Sequence, residues 1–304
     1  MELKQWRYDE FPSFEDPVEG AKILPTTGDD WRVYYIPDVE YITEDGTALR
    51  LQILQPFSRN EPEPVLPCVV FVQGSAWMKQ DIYFQIPALS KLAERGYVVA
   101  IVEYRHSEVA SFPAPIVDAR NAVRFLRKNA ERFRIDPDSI ILSGDSSGGH
   151  TAVFAGVRHN DDTTENSYPG ISGEVRGIVN YYGSCSVVRP DSNPSTVNHN
   201  LPDSPEGMEM GGVDLNQRPD LVKALSAECN IDEATEIAPM LILHGTKDRI
   251  VNTWCSVDLY RQMKRCGKDV MLYLLDGADH GGAEFWTREV LDIVQAFIER
   301  CLKR

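Results

Sequence analysis

Residues 139–150 read Ser139-Ile140-Ile141-Leu142-Ser143-Gly144-Asp145-Ser146-Ser147-Gly148-Gly149-His150, and they are followed by the small-residue stretch Thr151-Ala152-Val153-Phe154-Ala155-Gly156. The spacing G-x-S-x-G alone carries little, because it arises by chance in about one chain in ten of this length. Its context carries the reading: an apolar strand runs directly into the motif and a helix leaves it. A serine on such a turn presents its hydroxyl at the strand's carboxyl edge. Glycines at 144 and 148 keep neighbouring side chains away from the strained turn, and the helix N-terminus favours developing negative charge. Ser146 is therefore the candidate nucleophile. An ordinary glycine-rich strand-to-helix turn is the other reading of the same residues.

Outward from this motif, short runs of Val, Ile and Leu alternate with amphipathic stretches of helical length from residue 68 onward. That is the pattern of a mostly parallel central sheet with helices on both faces, an α/β fold. The spacing predicts strands near 68–73, 97–102, 139–143, 174–181, 239–243 and 269–275, and helices near 81–95, 115–133, 147–158, 254–267 and 284–302. Gly96 and Gly267 follow helices as C-terminal glycines, and Asp136-Pro137-Asp138 separates a helix from a strand. Residues 31–43 and 48–55 alternate as two antiparallel strands around Glu44-Asp45-Gly46-Thr47, and 61–67 is a Pro-rich connector. The first thirty residues show neither period and read as an irregular arm, laid on the domain or partly disordered. Residues 31–304 are expected to form one catalytic domain. Within it, the Pro-, Asn- and Met-rich stretch 184–235 is too long for a structureless loop and reads as a small cap insertion over the site, with some helix of its own.

A nucleophilic serine needs a base. His280, in Asp276-Gly277-Ala278-Asp279-His280-Gly281-Gly282, follows the last strand and precedes the last helix, where a loop can carry an imidazole over the sheet edge. His106 and His244 are rivals near strand ends, while His150, His159 and His199 read as structural or solvated. For the acid that orients the imidazole, Leu241-Ile242-Leu243-His244-Gly245-Thr246-Lys247-Asp248 runs from a strand through a glycine turn to Asp248, the choice over Asp276 and Asp279, which suit turn caps. Oxyanion donors are expected from the Ser147 amide and from Phe71-Val72-Gln73-Gly74-Ser75-Ala76-Trp77, through Ser75 and Ala76.

With these residues the chain resembles the α/β-hydrolase superfamily, and within it the hormone-sensitive-lipase-like and bifunctional feruloyl and acetyl-xylan esterase-like group of carbohydrate esterases. The likeness rests on the elbow, Gly74-Ser75-Ala76-Trp77, Tyr104-Arg105, Phe112-Pro113-Ala114-Pro115 leading to Asp118, Ser204-Pro205-Glu206-Gly207, His244-Gly245-Thr246-Lys247-Asp248 and Phe285-Trp286. Lipases and esterases often carry His-Gly-Gly where this chain has Gln73-Gly74-Ser75. The resemblance implies an α/β-hydrolase fold and carboxylic-ester hydrolysis through an acyl-enzyme, with no cofactor and no metal, on acetyl or feruloyl esters of plant carbohydrate. Trp77, Met208, Met210, His199 and Trp286 are the expected substrate contacts, and Asn198 and Asn200 are further candidates for sugar hydroxyls. Arg105 and Asp118 read as a structural pair behind the site. A serine peptidase of prolyl-oligopeptidase type would use the same triad, but such enzymes carry a large N-terminal domain and only about sixty residues precede this sheet. A non-catalytic binding module on the same scaffold would be expected to lack a triad member.

The 304 residues are 42% hydrophobic and carry a formal net charge of −15. A balance so acidic argues against nucleic-acid and anionic-membrane partners and leaves a small-molecule or oligosaccharide ester as the expected partner. The oligomeric state is left open, a homodimer included. The N-terminus has no apolar segment and the six cysteines are scattered without metal-ligand spacing, so a cytoplasmic protein with reduced thiols is expected.

Overall fold

A computed structural model describes residues 3–28, 30–58, 63–158, 167–187 and 194–303. The chain enters the fold through a hairpin of β1 (Arg32–Glu44) and β2 (Thr47–Phe57). Asp45 and Gly46 between them both take positive φ, as a two-residue turn matched to strand twist requires. Then follow β3 (Leu66–Val72), α1 (Ile86–Ala93), β4 (Val98–Val102), α2 (Ala114–Lys128), α3 (Ala130–Phe133), β5 (Ile135–Asp145), α4 (Ser146–Ala155) and the short β6 (Val157–Arg158). The remainder comprises β7 (Gly177–Tyr181), α5 (Pro205–Glu209), α6 (Pro219–Leu225), β8 (Glu236–Ile237), β9 (Met240–Gly245), α7 (Trp254–Arg265), β10 (Val270–Leu275) and α8 (Arg288–Leu302).

Eight strands form one sheet in the order β1-β2-β4-β3-β5-β7-β9-β10. From β4 to β10 all neighbours are parallel, and β2 runs antiparallel to both β1 and β4. Successive strand residues point to opposite faces, so the apolar runs fill two cores. Cys68, Val70, Val72, Ile140, Leu142, Met240 and Ile242 join α2, α4 and α7 on one face. Val69, Phe71, Ile141, Leu241 and Leu243 join α1 and α8 on the other. β6 and β8 pair antiparallel apart from the main sheet.

Several expected boundaries move. Strand β5 begins at Ile135, not 139, because left-handed Arg134 ends α3 and Ile135 at once pairs with Leu66. Asp136-Pro137-Asp138 lies inside the strand at a register shift, where a missing proline N–H is not needed by the ladder. The helix expected from 284 is a 3₁₀ turn, Ala283–Trp286, followed by α8, whose entry is capped by the Thr287 hydroxyl accepting from the Val290 amide. Residues 3–27 are exposed along their length and form neither helix nor strand; their sequence offers no periodic apolar face. His159 lies outside the described residues. Among the described residues no disulfide links the six cysteines, and no helix is long and apolar enough to cross a membrane.

Arg105 and Asp118 meet. Asp118 is fully buried and accepts the Arg105 amide at 2.8 Å and its guanidinium Nη2 at 2.8 Å, while Nη1 reaches Asp45 in the hairpin turn at 2.7 Å. Removing Asp118 leaves the buried Arg105 guanidinium with the exposed Asp45 as its remaining carboxylate. Asp118→Ala is expected to lose about 3–5 kcal/mol of unfolding free energy, read as a lowered urea midpoint; a loss below about 1 kcal/mol would show that the pair is not what ties β4 and α2 to the hairpin.

Candidate active site

The carboxyl ends of β3, β5, β7 and β9 lie along one edge of the sheet, and their loops assemble the site. Ser146 follows β5 directly and opens α4 with φ +51°. The two motif glycines are required by close approach: a Cβ on Gly148 would lie 2.0 Å from the Val72 carbonyl oxygen, and one on Gly144 would lie 2.3 Å from that of Gly148. The turn can therefore pack directly on β3.

His280 arrives on the loop after β10, and its Nε2 lies 2.9 Å from Ser146 Oγ. Its Nδ1 lies 2.7 Å from Asp248 Oδ2, on the loop after β9. Because a carboxylate only accepts, Nδ1 carries the proton, and Nε2 accepts from the Ser146 hydroxyl. Asp248 is saturated with donors: Oδ1 accepts the Ile250 and Val251 amides at 2.9 and 2.8 Å, and Oδ2 is also 3.1 Å from His244 Nε2. Burial by itself would raise the Asp248 pKa, but the bonds from His244 and His280 outweigh it and hold the carboxyl well below the usual range.

The rival residues fall elsewhere. His244 is fully buried, its Nε2 shared between Asp248 and the Val251 carbonyl at 2.9 Å and its Nδ1 2.7 Å from the Ser256 hydroxyl, so it stands behind Asp248. His106 lies against Glu108. Asp279 accepts the His280 and Arg249 amides and pairs with the Arg249 guanidinium, and Asp276 accepts from Thr246, both turn roles. His150 is buried with Nε2 against the Leu225 carbonyl at 2.9 Å, and burial pushes its pKa down to about 4.

Two residues that sequence reasoning missed hold the site together. Asp145, the variable position of the motif, is buried and accepts the Gly74 amide at 2.6 Å, Gln85 Nε2 at 3.1 Å and the Tyr182 hydroxyl at 3.3 Å. Tyr182 in turn packs edge-on against the His280 ring, centroids 4.8 Å apart. The signal for Asp145 was its adjacency to Ser146; nothing local marked Tyr182. The oxyanion expectation also changes. The Ser75 amide donates to Ser147 Oγ at 2.9 Å and is spent there, whereas among the described residues the Ala76 and Ser147 amides show no such acceptor.

Most of the expected substrate contacts are engaged inside the protein. Trp77 is 1% exposed with its ring against His150, and Trp286 is 6% exposed and stacked on Tyr181; large rings at strand edges gain more from the core than from solvent. Met210 packs on the small cluster of Val187, Leu215 and Leu225, and Met208 remains half-buried. Asn200 is buried and donates through Nδ2 to Asn216 Oδ1, while Asn198 stays exposed and accepts the Asn200 amide. His199 is drawn inward, with Nδ1 2.8 Å from Glu206 and Nε2 2.8 Å from the Ile250 carbonyl. Burial opposes protonation of this imidazole, and the Glu206 carboxylate outweighs burial and raises its pKa.

Glu209, at the end of α5, is buried and accepts from the Ser107 hydroxyl at 2.8 Å, and burial pushes its carboxyl up to about 8 against that bond. The folded chain therefore holds a proton that the unfolded chain, with an ordinary Glu pKa near 4.3, has lost. The stability from this group is present below about pH 4 and is lost as pH rises toward 8. Unfolding measured from pH 5 to 8 should show Glu209→Gln gaining on the wild type by on the order of 1 kcal/mol per pH unit; parallel curves would refute the assignment.

The BD-FAE family model matches residues 51–263. Esterase LipC of Mycobacterium tuberculosis is 27% identical over 235 residues, covering 76% of this chain and 57% of its own, so the chain spans little more than half of that relative. Among solved structures, a truncated carbohydrate esterase from gut microbiota superposes with TM-score 0.76 at 24% identity, covering 92% of this chain and 99% of that one. A bifunctional GH43-CE protein of Bacteroides eggerthii superposes with TM-score 0.73 at 26% identity over 88% of this chain and 38% of its own. The fold is that of the α/β-hydrolases, as the sequence led us to expect.

Proposed function

The chain belongs to the BD-FAE family, and on that premise we propose that it is a carboxylic-ester hydrolase with Ser146 as nucleophile, His280 as general base and Asp248 as the acid that orients the imidazole. The observation that carries the reading is the unbroken relay of hydrogen bonds from Ser146 Oγ to His280 at 2.9 Å and from His280 to Asp248 at 2.7 Å. His280 takes the Ser146 proton as Oγ attacks the ester carbonyl. The oxyanion develops toward the Ala76 and Ser147 amides. The alcohol leaves with the proton held on His280, and water then repeats the sequence on the acyl-enzyme.

Ser146→Ala is expected to fold normally and to lose on the order of a millionfold in kcat on nitrophenyl acetate. Asp248→Asn, which imposes the wrong imidazole tautomer, should lose on the order of ten-thousandfold. A tenth of wild-type turnover surviving in Ser146→Ala would remove it as nucleophile.

For substrate we propose acetyl or feruloyl esters of carbohydrate. The likeness to the bifunctional GH43-CE protein supports the carbohydrate part, and a panel of acetylated and feruloylated oligosaccharides read by product analysis tests both parts. The segment 184–235 is assigned to substrate selection, since His199 bonds the Ile250 carbonyl two residues beyond Asp248 and the Ser184 amide donates to the Ser146 carbonyl at 3.3 Å. Remote binding energy is spent at the reacting centre. Met208→Ala should accordingly lower kcat/KM for a feruloyl ester several-fold more than for nitrophenyl acetate, and equal losses on the two would sink the assignment.

A further inference from the structure

Where an oxyanion loop would be expected to carry glycine, this chain places Ala76 and Trp77 in succession, both left-handed, at φ +56° and +54°. L-residues disfavour that backbone, so it persists only where surrounding contacts over-determine it. Those contacts can be counted proton by proton. The Ser75 hydroxyl donates to the Met78 carbonyl at 2.6 Å, which uses its one proton. The Tyr104 hydroxyl, 3.0 Å away, must therefore donate to Ser75 Oγ. Tyr104 Oη is then left to accept, and Ser147 Oγ at 3.3 Å donates to it. Ser147 Oγ in turn accepts the Ser75 amide at 2.9 Å. Every hydroxyl thus has one direction, and the chain closes the Ser75–Met78 loop onto the residue that follows the nucleophile. Tyr104 and Ser147 are both fully or almost fully buried, and burial raises the Tyr104 pKa, so its proton is retained.

We propose that Tyr104 and the Ser147 hydroxyl are positioning residues for the oxyanion loop: through Ser75 they hold Ala76 in its left-handed turn, with its amide set beside that of Ser147. The proposal rests on the functional reading above, in which those two amides receive the tetrahedral oxygen. It assigns Ser147 two parts at once, the backbone as donor and the side chain as the clasp. It also explains why the Ser75 amide, turned inward to the clasp, is not a donor to substrate. A buried hydroxyl chain that loses one member leaves its neighbours unsatisfied. The loop then drifts, and small displacements of a preorganised donor are felt in the transition state.

The test uses the full chain and the variants Tyr104→Phe, Ser147→Ala and the double variant. Each is measured for kcat and KM on nitrophenyl acetate, inhibition by phenylboronic acid as a tetrahedral adduct, and thermal melting. Each single variant should lose about tenfold in kcat and about tenfold in boronate affinity with KM within about twofold. The double variant should lose no more than about the worse single one, because both cut the same chain. Folded variants with kcat and boronate affinity within about twofold of wild type, or with the loss confined to KM or to melting temperature, would overturn the proposal. If Tyr104→Phe does not fold, Ser147→Ala carries the same comparison, since it keeps the backbone amide. Ser146→Ala is run alongside: if it bound the boronate as wild type does, the functional reading itself would fail. A loss there with none in the other two strikes only the positioning role.

Discussion

The parallel register of β3 against β5 is the constraint on which the site depends. Val72 pairs with Gly144, so the two strands end level and their loops emerge side by side. That single alignment brings the Gly74 amide to the Asp145 carboxylate and the Ser75 amide to Ser147. It is possible only because glycines at 144 and 148 let two backbones touch. β7 and β9 continue the same level edge, Tyr181 pairing with both Asp145 and Leu243, so the Asp248 loop is delivered to the same side. A slip of one residue between β3 and β5 would turn the paired side chains to the opposite face and separate the loops by one residue's rise.

Two carboxylates serve this edge in different ways, and their surroundings set the difference. Asp248 gathers two amides and two imidazoles, and these donors hold it ionised despite burial. Asp145 is also buried, and there desolvation prevails over its donors and raises its pKa. Its bonds run to Gly74, Gln85 and Tyr182, so it ties the loop after β3 to the aromatic wall beside His280. The charge on Asp248 is thus fixed by hydrogen bonds, and the geometry around His280 by a buried group one residue from Ser146.

The segment after β7 shows how polar burial can anchor an irregular stretch. Glu206 accepts from Ser184 and faces His199, and His199 reaches across to the loop that bears Asp248. Polar residues that looked available for a ligand are instead spent on holding α5 against the edge of the sheet. Buried polar groups need partners, and in a stretch poor in apolar period such bonds replace the missing core.

The sequence by itself determined the order of elements, the strand–turn–helix around Ser146, and the loops that carry Asp248 and His280. These follow from local rules of periodicity, turn chemistry and the position of loops at strand ends, which each segment obeys by itself. It did not reveal that Trp77 and Trp286 are core residues, that His199 lies against Glu206 inside the protein, or that Ser75 gives its amide to Ser147. A tryptophan or histidine is equally suited to a pocket and to an interior, and only its packed neighbours choose between them. Asp145 and Tyr182 lie 37 positions apart, and Tyr104 and Ser147 lie 43 apart, so their contacts were decided by strand pairing and not by any local signal. A hydroxyl or amide shows its partner only when the fold has exhausted the alternatives, which is why the assignment of donors around the loop after β3 belonged to the tertiary structure alone.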